Sequence, residues 1–212
     1  MVNQLQYRPP SVTLATLPIE SKLMAVLWMR FKDWKMVQQE ALEHHHFPQK
    51  SLKGQKRVMD EVRFRLQHLR PVEIELMVEL ENMEEIRLLV HLAACRAYPL
   101  LLSFSRQVLR EKLMVFDEEV QDADFHNHWE EQAVLHDSLY RLGETSRSQI
   151  RRAVYRFLAE VGVLIGEPPR TLNPVHPPNS LVQGIDGSPQ PWLEALLLDE
   201  ATIEMFLQEN PV

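Results

Sequence analysis

Apolar residues recur at helical spacing along most of this chain. Between Pro18 and Phe31, Ile19, Leu23, Val26 and Leu27 fall on one stripe, which predicts a first helix. A second is predicted over 34–43, carrying Met36, Val37 and Leu42, with Asp33 placed to cap it and Pro48 unable to continue it. A third is predicted over 51–69. Its residues Leu52, Met59, Val62, Leu66 and Leu69 share a narrow arc at about 100° per residue, the mark of a helix with one buried face. Lys50, Lys53, Arg57, Phe64 and His68 lie on the opposite side, so basic groups project outward beside an aromatic ring.

Pro71 begins another helix. The stretch 83–116 reads as two long apolar helices broken near Tyr98 and Pro99, with too many leucines for a single stripe and therefore covered on more than one side. Beyond the acidic run DEEVQDAD, a helix is predicted over 124–139, with Gly143 as a stop. Ser146 and Gln149 have capping-box spacing ahead of a helix in which Ile150, Val154, Phe157 and Val161 point inward. Arg152, Tyr155 and Arg156, with Ser148 and Gln149, are expected to point outward. The chain then enters two short strand-like runs around a Pro-Pro-Arg turn, a hairpin wing in pattern. A proline-rich segment and an acidic amphipathic helix over 192–208 follow.

The expected fold is mostly α and multi-helical, with four segments. Residues 1–80 form a helix-turn-helix-like unit, 81–116 a helical core, 117–185 a winged-helix-like unit with a short β-hairpin, and 186–212 a linker with a last helix. With 45% hydrophobic and 25% charged residues, composition excludes a disordered or collagen-like chain. The single cysteine, Cys95, excludes an intramolecular disulfide and a cysteine-based zinc site, usage that fits a reducing cytoplasm. No signal-like N-terminus is found, and the charge-free run AYPLLLSFS is half the length of a membrane helix, so a cytoplasmic chain without membrane contact is expected.

The net charge of −7 would argue against a polyanionic partner, but its distribution changes that reading. Residues 1–70 hold 12 Lys and Arg against 6 Asp and Glu, residues 71–140 hold 5 against 15, and residues 141–212 hold 6 against 9. Five arginines between Arg141 and Glu160 form a second basic patch. Either basic face alone reads as ordinary solvated surface. Together they fit phosphate and base contacts in a major groove. The residues expected to make them are Lys50, Lys53, Lys56, Arg57, Arg63, Arg147, Arg151, Arg152 and Arg156, with Ser148 and Gln149 near base edges and Arg170 on the wing.

Catalytic chemistry finds little support. His44, His45 and His46 are consecutive and cannot converge on one ion, and His126 with Glu130 reads as a surface pair. The acids Asp117, Glu118, Glu119, Asp122 and Asp124 suit a helix N-terminus better than a magnesium site. There is no Walker loop, GxGxxG or GxSxG. No enzyme, metal, cofactor or small-molecule substrate is expected.

The helix KGQKRVMDEVRFRLQHL, the segment LLSFSRQVLREKLMVFD, the helix around HWEEQAVLH, and RSQIRRAVYRFLAEVGVLIG running into a proline-rich tail resemble, in order and spacing, the BrxA family of bacterial BREX phage-defence systems. The resemblance spans about residues 20–185. It implies a small protein likened to the RNA-binding antiterminator NusB and also described as DNA-binding with helix-turn-helix elements, and it brings no catalytic motif. The expected partners are double-stranded DNA and other BREX components. RNA binding and a protein-adaptor role, using the acidic middle and the last helix, are the alternatives.

Overall fold

The computed structural model describes residues 7–43, 47 and 51–209. Lys50 and His44 to His46 lie outside them. The chain opens with α1 (Pro18–Phe31), α2 (Trp34–Glu43), α3 (Leu52–Leu66), α4 (Pro71–Glu79) and α5 (Met83–Ala97). It continues through α6 (Pro99–Phe104), a π-helical turn (Ser105–Arg110) and α7 (Glu111–Met114). Strand β1 (Glu119–Val120), α8 (Asp122–Leu135), α9 (Asp137–Tyr140), α10 (Glu144–Val161), β2 (Leu164–Ile165) and β3 (Arg170–Leu172) follow. The chain closes with α11 (Asn179–Gln183), α12 (Gln190–Ala195) and α13 (Glu200–Glu209). The fold is mostly α, as expected.

Local chemistry accounts for many boundaries. Proline at the first helical turn starts α1, α4, α6 and α12, where its missing N–H has no carbonyl to bond. Ser51 caps α3 by accepting from the Gly54 amide at 3.1 Å, and Asn82 caps α5 by accepting from Glu84 at 2.8 Å. Gly162 ends α10 at φ 95°, in the left-handed region, with the nearest other side chain 3.7 Å from where a Cβ would stand. Gly162→Ala therefore meets strain without a clash. It is expected to lower stability by about 1–2 kcal/mol, read as a lower urea midpoint at unchanged slope.

The core runs the length of the chain. Helix α5 buries Ile86, Leu89, Leu92 and Ala94 between α3 and α10, and Trp129 of α8 and Trp192 of α12 are fully enclosed. Glu73, fully buried, joins three segments: it accepts from the Arg70 amide, from Arg96 of α5 at 2.5 and 2.9 Å, and from the Asp186 amide. Every lone-pair direction is used, which makes a buried carboxylate tolerable. Arg106 and Arg110 of the π turn grip the C-terminal region through Glu194, the Leu198 carbonyl and Glu200. Among the described residues no single helix is long and apolar enough to cross a membrane. The pair Met83–Ala97 and Pro99–Met114 has the composition but bends by 107° and forms the core.

Several expectations need correction. The first helix buries Ser21, Met24, Ala25 and Leu27, leaving Ile19 and Val26 exposed, because it packs against α2, α3, α4 and α5 along that face. Met36 and Leu52 are also exposed. The predicted helix over 124–139 runs instead over α8 and α9, broken at an extended His136. The capping box at Ser146 does not form: α10 starts at Glu144 after Gly143, so Ser146 already lies in its first turn. Tyr155 points inward, its hydroxyl donating to the Gln121 carbonyl at 2.8 Å, because α10 is covered by α5 on one side and faces Phe125 of α8 on the other. The helix over 192–208 is two helices, separated at Leu197, whose φ is 66°.

The predicted hairpin is present as β2 and β3, with a third, unforeseen strand. β1 arises inside the acidic run and pairs antiparallel with β3, Glu119 opposite Thr171, so β3 is central.

Candidate functional site

The two basic faces have different surroundings. On α3 the inward residues Met59, Val62 and Leu66 anchor the helix, which leaves Lys53, Lys56 and Arg57 exposed. None of the three makes an ion pair with a described residue. They line a cleft of about 620 Å³ together with Arg8, Ser11, Leu52, Asp60 and Glu61. Asp60 is 3.5 Å from Arg63, which also donates to Gln38 at 3.0 Å. Arg63 thus takes up the acid on this face and is itself half-buried.

The cations of α10 are mostly engaged. Arg147 pairs with Glu130, and Arg151 lies 3.1 Å from Asp122. Arg170, on β3, lies 3.5 Å from the same carboxylate and stacks over Tyr155 at 4.1 Å. Arg152 is exposed and, among the described residues, hydrogen-bonds to the Ser148 carbonyl of its own helix at 3.4 Å. Arg156 donates to the Leu14 carbonyl at 2.8 Å and approaches Glu160 at 3.9 Å. Gln149 is exposed and Ser148 half-buried on the first turns of the same helix.

The N-terminal segment ties the faces together, which sequence reasoning did not foresee. Thr16 gives its amide and hydroxyl to Glu160 of α10 at 2.7 and 2.8 Å, while Ala15 accepts from Arg65 of α3 at 2.7 Å. Ser11, three residues before Leu14, lines the α3 cleft. Residues 8–16 therefore run from the cations of α3 to Arg156, two patches a hundred residues apart in sequence. Arg8 is the residue missed. Its guanidinium lies 4.0 Å above the Phe64 ring, and the only sequence signal was a lone arginine ahead of two prolines.

The acids considered for metal binding serve as ion-pair partners. Asp117 and Asp124 hold Lys112 at 2.5 and 3.6 Å, Asp122 holds Arg151 and Arg170, and Glu130 takes Arg147 rather than pairing with His126. Among the described residues no group of three or more His, Cys, Asp or Glu is placed to hold a metal ion. His91 and Cys95 are buried together, Nε2 to Sγ 3.5 Å; burial pushes His91 down to about 3 and the Cys95 thiol up.

These features define a mostly helical protein with a small three-stranded sheet and one cleft rich in unpaired cations. The BrxA family model matches residues 10–187, and the chain belongs to the BrxA family. Membership suggests a role in BREX phage defence, and BrxA is not a known enzyme class. Among solved structures, the chain is similar to the crystal structure of an uncharacterized protein from Magnetospirillum magneticum. The two are 17% identical with a TM-score of 0.64, over 96% of this chain and 98% of that one, so they share a fold. No curated protein matches.

Proposed function

We propose that this protein is a non-enzymatic, DNA-binding component of a BREX phage-defence system that grips the phosphate backbone through α3. The observation that carries the reading is the group of exposed, unpaired cations Lys53, Lys56 and Arg57 facing one cleft with Arg8. Asp60 and Glu61 of the same cleft pair with Arg63 and Arg65, which leaves the charges of Lys53, Lys56 and Arg57 available to a polyanion. The helices α1 to α3 supply a helix-turn-helix-like unit, with α3 as the helix presented to the groove.

A second contact falls on α10. The order β1, α8, α9, α10, β2, β3 with β3 central supports a winged-helix reading, in which α10 takes the recognition position and the Gly166–Pro169 turn the wing. Its arginines sit in half-exposed ion pairs, which are weak enough to exchange partners for phosphate.

The test is a salt titration of duplex binding by fluorescence anisotropy with two charge-reversed proteins. Lys53→Glu, Lys56→Glu and Arg57→Glu together should weaken binding at least tenfold and flatten the plot of log affinity against log salt by about 3, at about 0.9 per phosphate contact. The fold survives because all three side chains face solvent. Unchanged affinity and slope would remove α3 from the interface; the same effect from Arg152→Glu with Arg156→Glu instead would move it to α10. Preference for RNA over duplex would favour the NusB-like alternative.

An adaptor role toward other BREX components is favoured by one observation. Val115, Phe116, Val134 and Leu135 stand exposed within the acidic middle, Phe116 at 92%. Exposed apolar groups of this kind support a protein contact where they join into one patch. Co-elution with another component in the absence of nucleic acid, measured by light scattering, tests it.

A further inference from the structure

Beside the cationic cleft lies a second one of about 550 Å³, within the range of ligand pockets. It opens between the N-terminal segment, the C-terminal half of α3 and the start of α6. Tyr7, Pro9, Phe64 and Pro99 give it flat apolar walls, and His68 and Arg96 place polar groups at its edge. Arg8 lines both clefts, its guanidinium against Phe64 and its outer side exposed.

We propose that this pair of clefts takes an unpaired nucleotide of a DNA strand, the base entering the pocket beside Arg8 and Phe64 and the flanking phosphates resting on Lys53, Lys56 and Arg57. The inference rests on the nucleic-acid reading above and states which form of strand the α3 end recognises. Its geometry comes from one helix. Lys53, Arg57 and Phe64 succeed one another at helical spacing and His68 follows in the turn after Leu66, so the surface passes from cations to aromatic rings, with Phe64 about 10 Å along the axis from Arg57. A short run of nucleotides covers that span. A duplex keeps its base faces inside the stack and can use only the cations. An unstacked base can use the apolar walls and the guanidinium plane as well, as in proteins that bind single strands. An apolar peptide would gain nothing from four adjacent cations.

The decisive comparison keeps the protein intact. Binding of a 12-nucleotide oligothymidylate is measured against an abasic oligomer of equal length and charge, and against a duplex. The wild-type protein is expected to bind the thymidylate about tenfold more tightly than the abasic strand, because stacking is lost while every phosphate remains. Phe64→Leu should erase that difference and change duplex affinity less than threefold, whereas Arg8→Ala, which also removes a cation of the cluster, should erase it while weakening duplex and abasic strands alike. Phe64→Leu keeps the apolar volume, and Arg8 is exposed, so neither change should unfold the chain. Equal wild-type affinity for thymidylate and abasic strands overturns the base pocket while leaving duplex binding standing. Failure to bind any DNA removes the nucleic-acid reading and this inference with it. Adenosine monophosphate bound as tightly as the thymidylate, with the same sensitivity to Arg8→Ala, would assign the pocket to free nucleotides and overturn the strand assignment.

Discussion

Glu61→Ala is expected to lower the unfolding free energy by about 3–5 kcal/mol, the cost of leaving one member of a buried ion pair alone. Glu61 and Arg65 sit one turn apart on the inner side of α3, 3.4 Å from each other and both almost fully enclosed. The carboxylate also accepts from the Tyr98 hydroxyl at 2.7 Å, and Arg65 donates to the Ala15 carbonyl. Burial pulls the Arg65 guanidinium below its usual range, opposed by Glu61. Removing Glu61 therefore strands a cation and a phenol in the core. Arg65 Nη2 already has no hydrogen-bond acceptor among the described residues, so little slack remains. Replacing all three partners, as Glu61→Leu, Arg65→Met and Tyr98→Phe together, should recover most of the loss, since apolar groups of similar size need no partner. Urea unfolding followed by circular dichroism measures all three proteins. A single-variant loss under about 1 kcal/mol would mean that water reaches the pair. The same helix carries the proposed phosphate contacts on its other side, so its anchoring fixes where Lys53 and Arg57 stand.

What the sequence made legible were features decided by neighbours in the chain. Prolines set the starts of α1, α4 and α6, Tyr98 and Pro99 the break in the core, Gly162 and the Pro-Pro-Arg turn the hairpin. The outward cations of α3 were legible for the same reason, being a stripe of one helix. What was hidden depends on contacts across the chain. The burial of Tyr155 requires α8 to pack beside α10, and β1 exists because Glu119 meets Thr171, fifty residues away. The exposure of Ile19 follows from where four other helices lie. A helical wheel has no term for either.

The candidate site divides along the same line. Counting arginines over 141–160 treats each as free, whereas Asp122 and Glu130 fold back onto Arg151, Arg170 and Arg147. The acidic middle is thus partly the counter-charge of the C-terminal basic patch. Asp122 and Glu130 neutralise cations of α10 and β3, whereas Lys53, Lys56 and Arg57 of α3 make no ion pair with a described residue. Arg8 completes that cluster from a segment whose position is fixed by Arg65 and Glu160, residues with no local relation to it.

Acid should destabilise the protein through His91 well before its surface carboxylates are protonated. The ring is fully buried on α5, near Cys95 and Phe157, and its Nδ1 has no partner among the described residues. Burial depresses it from 6.5 to about 3. The folded protein therefore leaves this ring neutral, while the unfolded chain binds a proton below pH 6.5. Stability from this group is intact above that pH and falls as pH drops toward 3, at about 1.4 kcal/mol per pH unit. Between pH 7 and 4.5 the loss is about 2.7 kcal/mol. His128, also lowered by burial, acts in the same direction, and acids such as Asp186 and Asp199, whose carboxyls are lowered by hydrogen bonds, add their own losses. Those contributions are shared with His91→Leu and cancel in the comparison. Urea unfolding at both pH values should show the wild type losing about 2–3 kcal/mol more than His91→Leu. Equal losses in the two proteins would mean that His91 is protonated in the folded state, and that the core around α5 admits a charge.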